Sequence, residues 1–214
     1  NGGCPAGLFK SDQEGYYIYF PAILIHGTFK DVPFNSGCTI PDQQNGLVHT
    51  KYTYGVALLE APFFLIGHAI AAATDNTTDG RSPPYAWAVF AGAIFYFLSG
   101  LELIKRFLAN WFGKLEIVIA LLTISLGTNL LYYSVGEVGM SHVYSFFLFS
   151  ASLFLLKKWV REPKPLYTFL LSVVYGLIIL IRPTNLILLF TIPLLGVFSL
   201  EDLQCLCKAC HQKE

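Results

Sequence analysis

Five apolar runs follow one another with only short polar loops between them, roughly Tyr85 to Ile104, Leu115 to Tyr133, Met140 to Leu156, Leu166 to Ile181 and Leu186 to Leu200. A helix rises about 1.5 Å per residue, so about 20 apolar residues cross a hydrocarbon core about 30 Å deep. The last two runs are short by that measure. Hydrocarbon offers the backbone no hydrogen-bond partner, so a spanning segment must bond internally, and no alternating strand pattern is present; the runs predict helices. The expected fold class is all-α, a polytopic transmembrane helix bundle. Composition agrees: of 214 residues 54% are hydrophobic and 13% charged, against about 25% charged in an ordinary soluble domain. Fourteen basic residues balance fourteen acidic ones, so no net positive field invites nucleic acid.

Orientation follows from where lysine and arginine collect in short loops. Lys105, Arg106 and Lys114 follow the first run, and Lys157, Lys158, Arg161 and Lys164 follow the third. Both loops are expected in the cytoplasm, with the loop around Glu137 and the segment "RPTN", Arg182 to Asn185, outside. A further apolar run, Gly55 to Ala73, is long enough to span, but a crossing there would place Asn1 to Tyr54 in the cytoplasm. It also carries Glu60, Pro62 and His68, and a charge at bilayer depth costs about 3 kcal/mol on insertion scales. The run is therefore read as a helix lying in or re-entering the outer interface, a full crossing being the alternative. Residues 1–84 then form an extracytoplasmic loop with interfacial helices near 12–26 and 55–73, residues 85–200 the bundle, and residues 201–214 a cytoplasmic tail. Asn1 opens the sequence and its only methionine is Met140, so a longer protein is expected.

The acidic and cationic residues gather near the expected outer surface. In "SDQEGYYIYF", Ser11 to Phe20, the residues Tyr16, Tyr19 and Phe20, with Ile23 beyond them, recur at helical spacing and predict one aromatic stripe. Ser11 and Glu14 match a capping box, which leaves Asp12 in the first turn, where the helix dipole favours its ionised form. Lys30 to Thr50 is rich in turn-forming residues and reads as an ordered loop. "HTKYTYG", His49 to Gly55, puts Lys51 and Tyr54 at the head of the next helix, where ammonium and backbone amides both complement a lipid phosphate; simple interfacial anchoring is the bland alternative. "GMSHVYSFF" puts His142, and "IRPTN" puts Arg182, at the outer ends of spans. His142 binds substrate there, caps its helix or pairs with Glu137. Cys4 and Cys38 are candidates for a disulfide. Cys205, Cys207, Cys210 and His211 contain a c-type haem pattern and a potential zinc set, with an incidental tail as the alternative. Asn76-Thr77-Thr78 is a formal glycosylation sequon.

"SDQEGYYIYFPA", "KYTYGVALLEAPFFLIGH", "GMSHVYSFFLFSASLFL" and "IRPTN" together resemble the GT-C superfamily of polyprenyl-phosphate-sugar-dependent glycosyltransferases. The likeness is to the bacterial membrane transferases related to protein O-mannosyltransferases and lipid A aminoarabinose transferases, and it covers most of Lys10 to Phe198, the N-terminal part of such an enzyme. The resemblance implies that Asp12 is the catalytic aspartate of the first outer loop and that Lys51 contacts the donor phosphate. The family often follows that lysine or histidine with two prolines, whereas Tyr52 and Thr53 stand here. Tyr54, His142 and Arg182 join Lys51 as substrate-binding candidates from their placement. The implied reaction moves a sugar from a polyprenyl-phosphate donor to a lipid, glycan or protein acceptor with inversion. It takes place at the outer face of a multi-pass protein of the bacterial cytoplasmic membrane, with no cofactor or metal. The alternatives are a secondary transporter and a non-enzymatic membrane subunit.

Overall fold

The computed structural model describes residues 11–30, 39–41 and 46–191. The Cys4 and Cys38 pair, the Cys205 to His211 cluster and the apolar run past residue 191 lie outside the described residues. Among those residues are seven α-helices: α1 (Ser11–Tyr17), α2 (Gly55–Ala73), α3 (Pro83–Leu108), α4 (Lys114–Leu126), α5 (Leu130–Val135), α6 (Ser141–Arg161) and α7 (Pro165–Ile181). A π-helical turn covers Pro21–Ile25 and a 3-10 helix covers Pro183–Phe190, where the start of a fifth spanning helix was expected. A three-residue antiparallel ladder pairs Thr39 with Thr50, Ile40 with His49 and Pro41 with Val48, joining β1 (Thr39–Pro41) to β2 (Val48–Thr50) within the Pro- and Gly-rich loop. The architecture is all-α, and α2, α3 and α6 are long and apolar enough to cross a membrane.

Local chemistry sets the helix boundaries. Proline occupies the first turn of both α3 and α7, where its fixed φ suits a helix and its missing N–H costs nothing. The single helix expected over Leu115 to Tyr133 is instead broken into α4 and α5. Gly127 ends α4, and the Thr128 hydroxyl donates to the Ile124 carbonyl while its oxygen accepts from the Leu130 amide. A hydroxyl that satisfies both helix ends makes the break cheaper than continuation.

The packing gives the bundle two distinct ends. α3 and α6 run parallel: Tyr96 meets Tyr144 and Phe147, Phe146 packs over Gly100, and Lys157 lies over the Trp111 ring just beyond α3. α7 returns antiparallel to α6, with Trp159 Nε1 donating to Thr168 Oγ1. α2 runs antiparallel along the first half of α3, with Gly67 against Tyr85 and Ala88, Phe63 against Gly92, and the Tyr96 hydroxyl donating to the Leu59 carbonyl. α2 begins where α7 ends, because Gly55 rests on the Leu180–Ile181 backbone. Its head therefore stands level with the first turn of α6 and stops short of the basic loops. Sixteen residues separate Ser141 from Lys157 along α6, about 24 Å of helix. The segment from α1 to the head of α2 sits at the end opposite Lys157, Lys158 and Arg161.

Burial revises the aromatic stripe expected near residues 12–26. Gln13 to Ile18 are buried without interruption, while Ile23 is 55% exposed. α1 is wedged between two apolar clusters and so has no wet face there. Tyr17 and Ile18 join Phe64, Tyr85 and Val89 of the α2–α3 pair, and the adjacent Tyr16 joins Val56, Tyr144, Ile178 and Ile181.

Candidate active site

Three ties hold α1 in place and so fix Asp12 in its first turn. Gln13 Oε1 accepts from the Gly139 amide at 3.0 Å, Tyr17 donates to the Gly80 carbonyl at 2.6 Å, and Tyr16 meets Ser141 Oγ at 3.4 Å. Glu14 is fully buried and forms an ion pair with Arg81 from the α2–α3 turn. That pairing corrects the capping-box expectation: with Oε1 on the guanidinium and Oε2 lacking a hydrogen-bond partner, Glu14 does not reach back to cap α1. A charge in this apolar setting is better served by a cation than by an amide.

Lys51 reaches Asp12 through a close approach at Gly15. Thr50 Oγ1 donates to the Gly15 carbonyl at 3.0 Å, and a Cβ on Gly15 would lie 2.4 Å from the Tyr52 ring. The absent side chain lets Tyr52 lie against α1 and meet the Tyr16 ring at a tilt of 36°, with centroids 4.2 Å apart. Tyr19 donates to the Tyr52 carbonyl. Burial, and then the neighbouring Tyr54, push the Tyr19 hydroxyl above its ordinary pKa, so it remains a neutral donor. On this aromatic platform Lys51 Nζ stands 3.9 Å from Asp12 Oδ1 and 5.0 Å from the centre of the Tyr52 ring. The lysine side chain is 65% exposed and the aspartate 39%. A pair so exposed adds about 0–1 kcal/mol to stability, and both groups are open to a ligand.

Tyr54 precedes α2, half exposed, with its ring edge-on to Tyr19 at 6.1 Å. His142 and Arg182 belong to a neighbouring cleft of about 230 Å³, lined also by Ser141, Ser145, Phe146 and Asn185. His142 stacks on Tyr133 with centroids 4.0 Å apart. Glu137 accepts instead from Tyr132 at 3.1 Å, and Met140 occupies the N-cap position of α6 without a side-chain cap bond. The Glu137 pairing and the capping role considered for His142 are thus replaced by ring stacking.

Asp12, Lys51 and Tyr54 therefore share one aromatic platform, and His142 and Arg182 share one cleft. Two bridges join them: Tyr16 to Ser141, and Thr53 Oγ1 donating to the Ile181 carbonyl at 3.1 Å. Gln13, Arg81 and the Glu60–Tyr144 contact escaped the sequence reading. A glycine in the middle of α1 was the one local sign that something packs closely there. Among the described residues no group of three His, Cys, Asp or Glu side chains stands close enough to hold a metal ion. Comparison of the chain with protein-family models, curated proteins and solved structures gives no match.

Proposed function

We propose that the chain is a multi-pass membrane glycosyltransferase that takes its sugar from a polyprenyl-phosphate donor and works at the membrane face opposite its basic loops. In a bacterial cytoplasmic membrane that face is the outer one. The observation that carries the reading is the Asp12–Lys51 pair, 3.9 Å apart and open to solvent at the end of the bundle away from Lys157, Lys158 and Arg161. A carboxylate and an ammonium are the two groups that a displacement at an anomeric carbon uses on its opposite sides; 3.9 Å leaves no room for the reacting atoms between them, so the donor must part the pair as it binds.

Asp12 acts as general base, taking the proton of the acceptor hydroxyl or amine as that group forms its bond to the anomeric carbon. The bond from that carbon to the phosphate oxygen breaks, and polyprenyl phosphate leaves with the electron pair. Lys51 offsets the charge that grows on the departing phosphate. One displacement inverts the anomeric centre, and positive character in the sugar ring is stabilised by the same carboxylate. Tyr54 lines the approach, and Arg182 and His142 line the adjoining cleft. The polar groups gather at one end of the bundle, whereas transporters usually place them near the midplane.

The test is Asp12→Asn in the full-length protein, assayed for sugar transfer from a polyprenyl-phosphate donor. Loss of the general base lowers kcat by about 10²- to 10⁴-fold. Wild-type turnover in the variant, or a cysteine at position 12 that labels only from the cytoplasm, overturns the proposal.

A further inference from the structure

Glu60 lies in the second turn of α2, 2% exposed, and forms no ion pair among the described residues. Its Oε1 stands 2.9 Å from the hydroxyl of Tyr144 in the first turn of α6, and its Oε2 has no hydrogen-bond partner. The same hydroxyl stands 3.1 Å from the Val138 carbonyl. Among the described residues, the ionisable groups that bear on Glu60 are Tyr17 of α1, Tyr96 of α3 and Tyr144 of α6, each a phenol.

The hydrogens can be counted. A phenol carries one, and an ionised carboxylate and a carbonyl are both acceptors only. An ionised Glu60 would leave one of the two contacts of Tyr144 without a hydrogen, and would seal a full charge behind a single hydrogen bond and no cation. A neutral acid removes both difficulties: its own O–H donates to Tyr144, and Tyr144 donates onward to Val138. The result is an unbroken chain of donors and acceptors.

We infer that Glu60 is held as a neutral carboxylic acid whose O–H donates to Tyr144, forming a proton-held latch that seats the head of α2 on the head of α6. The latch sits nine residues from Lys51 on one side and two from His142 on the other. It makes Glu60 a positioning residue for the segment that carries Lys51, and loss of the proton would open the seam by placing a bare charge in it.

Infrared spectroscopy of the full chain in detergent at neutral pH tests the latch without donor or acceptor, so its outcome is independent of sugar transfer. The wild-type spectrum minus that of Glu60→Gln is expected to show the C=O stretch of a protonated carboxyl, which persists when other carboxyls ionise. Tyr144→Phe removes the hydrogen bond and is expected to move that band to higher frequency. Should Glu60→Gln fail to fold, glutamate-selective carbon labelling of the wild type and of Tyr144→Phe gives the same comparison. A spectrum with no protonated-carboxyl band, or a band unmoved by Tyr144→Phe, overturns the inference.

Discussion

Arg81→Met tests how α1, and with it Asp12, is held. Glu14 is fully buried and Arg81 is 33% exposed in its side chain. Removing one partner of a buried pair costs about 3–5 kcal/mol, because the other charge is left uncompensated. Water already reaches part of the guanidinium and screens the pair, which brings the expected loss to roughly 2–3 kcal/mol. A second route sets a ceiling. A free glutamate titrates near 4.3, so neutralising one at pH 7 costs about 4 kcal/mol, and the variant can lose no more than that before taking up a proton. The penalty should therefore shrink on acidification, and the double variant Glu14→Gln/Arg81→Met should recover most of it. Unfolding in mixed detergent micelles, followed by helical circular dichroism at about pH 7 and about pH 5, measures both effects. A loss under about 1 kcal/mol that is equal at the two pH values would refute the reasoning, since that is the behaviour of an ordinary surface pair.

Glycine exchange separates close approach from open space. A Cβ at Gly55 would lie 2.6 Å from the Ile181 amide nitrogen, whereas at Gly176 it would meet nothing within 4 Å; Gly55→Ala should destabilise the bundle and Gly176→Ala should add up to about 1 kcal/mol of helix propensity, as read by detergent unfolding. At Asp79 burial raises the pKa, but hydrogen bonds from the Arg81 amide, the Thr77 hydroxyl and the Ser82 amide outweigh it and hold the carboxyl below its ordinary value. Its stabilisation of the turn before α3 is thus complete above about pH 4 and lost as pH falls through the depressed value; the stability difference between wild type and Asp79→Ala should fade on acidification, and a pH-independent difference would contradict this.

The helices that hydropathy announces came through with small shifts at their ends: Tyr85 to Ile104 became Pro83–Leu108, and Leu166 to Ile181 became Pro165–Ile181. Composition sees a run of apolar residues but is blind to a local competitor, which is why the break at Gly127 to Asn129 passed unnoticed. The misreading of α1 has a different cause. Periodicity supposes that a helix has one dry side and one wet side, and a seven-residue helix enclosed by two clusters has no wet side from Gln13 to Tyr17. At the candidate site, the pairing of Asp12 with Lys51 joins two positions that the sequence reading had singled out separately. Glu14 was misassigned because its partner, Arg81, lies 67 residues away, and no short motif encodes a contact at that range. Glu60 was noticed for its charge in an apolar run, yet only the fold supplies the phenol beside it.

The seating of Gly55 on the end of α7 acts as a fixed ruler between two cations. Lys51 lies two residues before Thr53, and Arg182 directly follows Ile181, the pair joined by the Thr53 hydroxyl and the Ile181 carbonyl. The spacing of the two backbone positions that carry the positive groups is thereby set by a few covalent bonds and one hydrogen bond, with only side-chain rotation left to vary. An anionic ligand touching both would meet a preset gauge, and lengthening the chain by one residue between Lys51 and Thr53 would change the size of anion that fits before it changed how tightly the helices pack.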